Sequence, residues 1–120
     1  MVEFQTGNDD LRGGKDNVHM IVLLRSGAEI RFDNANDGKR WIDRSSQTVS
    51  RSLPETVRFE DMAGIRLETT FGGGVGGDNW NLDRLFVRAR LGTETRTLCH
   101  KSGAPLVRFT GTDRSRDFRF

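Results

Sequence analysis

Apolar residues in this chain recur mostly at every second position, and that period constrains the fold more than any other feature. Side chains alternate across a strand but repeat every 3.6 residues in a helix, so the pattern predicts half-buried strands. Ile65, Leu67, Thr69 and Phe71 alternate with Arg66, Glu68 and Thr70, and Leu85, Val87, Ala89 and Leu91 alternate with Arg84, Phe86, Arg88 and Arg90. Val18, Met20, Val22 and Leu24 take one face of another segment and His19, Ile21 and Leu23 the opposite one, as in a central strand covered on both sides. Gly27 then supplies the turn of a hairpin into 29–32. Short segments at 2–6, 48–53, 95–100, 106–110 and 117–120 bring the count to eight or nine strands, spaced by roughly ten residues. The reading is an all-β chain, an antiparallel β-sandwich of about eight strands. Only 38–44 and 53–62 have room for a helical turn. Trp80 and Leu82 share one parity, whereas Asn81 and Asp83 share the parity of Leu85, which predicts a bulge near Asp83.

Composition bounds the rest. A chain of 120 residues with 34% hydrophobic residues supplies one modest core, so 1–120 reads as a single domain, compatible with excision from a larger protein. No apolar run approaches the roughly 18 residues of a membrane span. Met1 leads straight into the strand-like 2–6 without a basic and apolar leader, so no signal peptide is expected here, while a secreted parent protein stays compatible. Nineteen Lys and Arg against seventeen Asp and Glu leave +2, too little for the broad basic field of a nucleic-acid binder. The cations are mainly Arg and crowd 84–119, whereas Asp and Asn gather before residue 44. Cys99 is alone, which excludes an internal disulfide and a multi-cysteine metal site.

Three segments in fixed order carry a family resemblance. They are TGNDDLRGGKDNVHMIVLL at 6–24, SGAEIRFDNANDGKRWIDRSSQTVSRSL at 26–53, and MAGIRLETTF followed by GGDNWNLDRLFVRA. Over about residues 4–90 the chain resembles the PLAT/LH2 family, β-sandwiches found beside the catalytic domains of lipoxygenases and lipases and in some membrane receptors. Gly14-Lys15-Asp16 stands where that family usually has Gly-Thr-Asp. The resemblance implies a binding module that docks to a lipid surface or protein partner, aided by calcium at one loop end. Carried over residue by residue, the calcium ligands fall on Asp16, Asp33 and Asp37.

The residues themselves permit such a site. The first loop offers Asp9, Asp10 and Asp16 with Asn8 and Asn17, and the second offers Asp33 and Asp37 with Asn34 and Asn36. Calcium takes six to eight oxygens from carboxylates, amides and backbone carbonyls. The same residues also populate turns because their side chains cap local backbone groups, so turn chemistry stands beside calcium. The spacing is not that of an EF-hand.

The stretch FGGGVGGDNWN is neither a Walker nor a Rossmann loop, since a strand follows it. Trp80 with Asp78 and Asn79, or else Trp41, is the combination of a carbohydrate-binding site, a stacking ring beside hydrogen-bonding groups. The competing reading makes both Trp side chains part of the core. Catalysis is not expected: His19 sits mid-strand, Cys99 and His100 project to opposite faces, and no hydrolase or zinc-protease motif occurs. Three functions follow: calcium-assisted docking, glycan binding, or a structural or protein-interaction role of the Arg-bearing strands.

Overall fold

The alternating segments become strands in a computed structural model, which describes residues 1–72 and 77–120. The described strands are β1 (Val2–Thr6), β2 (Val18–Leu24), β3 (Glu29–Phe32), β4 (Ser46–Val49), β5 (Met62–Thr69), β6 (Trp80–Leu91), β7 (Glu94–Phe109) and β8 (Ser115–Arg119). They form two four-stranded antiparallel sheets, ordered β4-β1-β6-β7 and β3-β2-β5-β8, an antiparallel β-sandwich. No helix among the described residues is long and apolar enough to cross a membrane. The glycine-rich stretch expected to border a binding surface runs through 73–76, outside the described residues.

β2 is central, between β3 and β5, and Val18, Met20 and Ile21 on its two faces are all buried. Ile21 faces away from the core. It is covered by the outer ionic ladder, in which Arg66 bridges Glu29 and Asp117 while Arg31 joins Glu68 and Asp33. Long Arg stems cover apolar surface while their guanidinium heads stay wet. The main core gathers Phe4, Leu67, Leu85, Trp80, Phe109 and their neighbours, and Val22, Val57, Phe59, Met62 and Ala89 form a smaller cluster toward the opposite end.

The bulge falls where the parity change requires it. Gln5 pairs with Arg84 and Thr6 with Leu82, so Asp83 is the extra residue against β1, and Leu82 and Leu85 both point into the core. On the other side of β6, Leu82 pairs with Val107 and Arg84 with Ser102, leaving 103–106 opposite Asp83 alone. The segments expected as separate strands at 95–100 and 106–110 are therefore one long strand. Its Pro105 fits because β7 is an edge strand, where a missing N–H costs no ladder bond. The strand expected at 48–53 runs instead over Ser46–Val49, and the helical turn within 53–62 is a 3-10 turn at Phe59–Asp61. Residues 38–44 are not helical.

Candidate functional site

The two Asx-rich loops meet at one end of the sandwich and are locked by backbone and amide bonds. Leu11 and Trp41 exchange backbone bonds of 3.1 and 2.8 Å, and the Gly14 N–H donates to the Gly38 carbonyl at 2.9 Å. Gly13 has φ +77° and lies so close to the second loop that a Cβ there would stand 2.5 Å from the Gly38 oxygen, so only glycine fits. Asn36 Nδ2 donates to Asn17 Oδ1 and to the Lys39 carbonyl, both at 2.9 Å, while its Oδ1 accepts from the Val18 N–H. Asn17 and Asn36 are buried. These amides serve as loop locks, the turn chemistry that the sequence left open.

The aspartates separate into two groups. Gly7 and Asp9 run on from β1 alongside Asn81, with bonds from the Gly7 N–H to the Asn81 carbonyl and from the Asn81 N–H to the Asp9 carbonyl. This pairing carries Asp9 and Asp10 to Asp78, and carboxylate oxygens of all three lie within 4.8 Å of one another. Asp16 is close enough to add repulsion at Asp78. Asp33 and Asp37 are held elsewhere: Asp33 bonds Arg31 and approaches His19, and Asp37 pairs with Arg51 at 3.3 Å. The five-aspartate ligand set expected from sequence is therefore not gathered. Of its members Asp9 and Asp10 lie together, with Asp78 beside them.

Asp78 is the buried member, 1% exposed, against 13% for Asp10 and 35% for Asp9. Its Oδ2 accepts the Arg12 N–H at 2.9 Å, its Oδ1 accepts the Asn79 N–H at 3.0 Å, and the Arg12 guanidinium stands 3.3 Å away. Burial raises its pKa above the usual carboxylate range. The Arg12 bond and charge oppose that shift, and Asp16 and Asp10 add to it. A positive charge close by would favour the ionised form. Each carboxylate already has an Arg beside it: Arg108 at Asp9, Arg40 at Asp10 and Arg12 at Asp78.

The two Trp side chains are core residues, so of the two readings open for them core packing holds and the stacking surface does not. Trp80 is fully buried and Trp41 is 4% exposed. Trp80 stacks on Phe109 at 5.5 Å and meets the edge of Trp41 at 5.7 Å, while Phe4 lies 5.0 Å from Trp41. The Trp80 indole N–H donates to Thr6 Oγ1 at 3.1 Å, satisfying a buried donor. Neither indole presents a face to a sugar, and the Asp78 carboxylate is engaged with the backbone N–H groups of Arg12 and Asn79. Cys99 is buried, with its thiol pKa pushed up by burial, whereas His100 is exposed against Phe86 at 5.1 Å.

The fold and this loop end define the molecule as an antiparallel β-sandwich with a buried aspartate held against the first of two locked loops. No protein-family model and no curated protein sequence matches the chain.

Proposed function

We propose that the chain is a non-catalytic, PLAT/LH2-like binding module that takes up calcium at its loop end and docks from there to a lipid surface or protein partner. The observation that carries this reading is the convergence of Asp9, Asp10 and Asp78 within 4.8 Å around a carboxylate whose pKa is raised by burial and by its acidic neighbours. Hard oxygens clustered from separate loops suit a calcium ion, which tolerates irregular geometry. The two four-stranded sheets make the β-sandwich that such a module requires.

A second reading rests on the three arginines. If Arg12, Arg40 and Arg108 neutralise the carboxylates permanently, the cluster is a charge-compensated clasp and the domain is structural. Thermal unfolding in calcium, magnesium and chelator separates the two. A ligand that prefers the folded chain adds about 2.7 kcal/mol at a hundredfold excess over its Kd. The docking reading expects a calcium-specific rise in Tm that Asp10→Asn removes, and calcium-dependent sedimentation with anionic vesicles. No rise over magnesium leaves the clasp.

A further inference from the structure

At the end of the sandwich opposite the aspartates, the two sheets part around a cavity of about 520 Å3, within the range of roughly 300–1,000 Å3 typical of ligand pockets. Met20, Val22 and Ile65 form one wall and Val87 and Ala89 the other, while Leu53, Pro54 and Val57 of the segment between β4 and β5 border it. These residues belong to both apolar clusters, so the interior of the sandwich is not filled continuously. The buried polar residues Thr6, Asn17, Asn36, Thr69 and Asp78 belong to the other end, and none lines the cavity. The part of any occupant lying between the sheets must therefore be hydrocarbon, since the deep side chains offer it no hydrogen bond.

The rim has a different character. Its charged side chains are those of Arg51, Arg58, Arg88 and Arg90 against that of Glu55. Arg88 and Arg90 occupy outward positions of β6, and Arg51, which also reaches Asp37, and Arg58 flank the segment carrying Leu53 and Val57. An apolar interior under a cationic rim complements an amphiphile with one acidic head. At roughly 30 Å3 per water-sized group, the volume holds about 17 such groups, enough for one chain of a dozen or more carbons but not for two tails.

We propose that this cavity binds a free fatty acid, with the hydrocarbon chain between the sheets and the carboxylate at the Arg51 and Arg58 rim. The site is separate from the aspartate end, so its binding is indifferent to calcium and chelator. Isothermal titration calorimetry below micellar concentrations tests it with dodecanoate, dodecanol and dodecyltrimethylammonium. Dodecanoate is expected to saturate at one per chain, with dodecanol at least tenfold weaker and the ammonium not bound. The rim pair Arg51→Ala and Arg58→Ala, the first half-buried and the second exposed, is expected to weaken dodecanoate at least tenfold and to leave dodecanol unchanged. Ala89→Leu, which fills the cavity, is expected to abolish binding of both; if it fails to fold, the head-group series and the Arg pair decide alone. Absence of dodecanoate binding at millimolar concentration overturns the proposal. So does equal affinity for acid and alcohol, undiminished binding to folded Ala89→Leu, or binding to phosphatidylglycerol vesicles without binding of the monomeric acid.

Discussion

Asp78 carries its charge where burial and two acidic neighbours work against it, and its measurable consequences follow from that conflict. A carboxyl whose folded pKa is raised holds its proton in the folded chain over a window where the unfolded chain has lost it. Its contribution to stability is complete below the ordinary carboxylate pKa and is lost as pH rises through the raised value. Urea unfolding from about pH 4 to about pH 7 should therefore show Asp78→Asn gaining on the native chain as pH rises. A flat difference would mean that Arg12 compensates the charge fully. Asp78→Ala is the harsher change, because it strands the N–H groups of Arg12 and Asn79, an expected loss of about 1–3 kcal/mol at any pH. If a cation binds there, it competes with the proton, and its affinity falls as pH drops through the same range. The sequence marked Asp78, but as a partner of Trp80 at a sugar site. Asp78 lies two residues ahead of Trp80 and outside β6, so strand alternation does not reach it, and the burial of Trp80 beneath Phe4, Trp41 and Phe109 tells nothing of where Asp78 faces.

At the scale of elements, β6 was legible in unusual detail because a parity change inside one apolar run has few physical solutions. Trp80 and Leu82 on one parity and Leu85 and Val87 on the other can all be buried only if one residue is extra, and Asp83 is that residue. The C-terminal hairpin was less legible: Gly103 and Pro105 look like a break, yet an edge strand absorbs them as a bulge. The β5–β8 pairing left no trace in either strand, although it has a steric signature. A Cβ at Gly64 would meet the Phe118 carbonyl at 2.6 Å, so Gly64→Ala must push β8 away and should cost about 1–3 kcal/mol by chemical denaturation. Arg66 on the same strand tests the outer ladder, where its guanidinium pKa is raised chiefly by the bond to Asp117. Its pairs are largely solvated, so Arg66→Met should change stability by no more than about 1 kcal/mol, and less at high salt. Met keeps an apolar stem over Ile21, so a larger loss would show that the pairs to Glu29 and Asp117 contribute more than solvated ion pairs usually do.

For the whole molecule, alternation and turn spacing were enough to predict a sandwich, but which strands pair was not, and the sites depend on pairing. β1 lies beside β6 across most of the chain length, and only this brings Asp9 and Asp10 to Asp78. No local pattern records it. The same holds for the opposite end, where the cavity exists because residues from both sheets and the 50–58 segment fail to meet, a property of no single stretch. Such a gap leaves its lining side chains without contacts on one side, so filling it should stabilise the fold. Ala89 is the position to fill: it is buried, belongs to the smaller apolar cluster and lines the cavity. Ala89→Leu is therefore expected to raise stability by about 0.5–2 kcal/mol, read as a higher Tm, with the calcium response at the far end unchanged. A defect of packing would lose nothing by this substitution. A binding site would lose its ligand while the protein becomes more stable, and added dodecanoate would then raise the Tm of the native chain but not of the variant. A fall in Tm for Ala89→Leu would instead show that the two sheets already close more tightly around this position than the cavity implies.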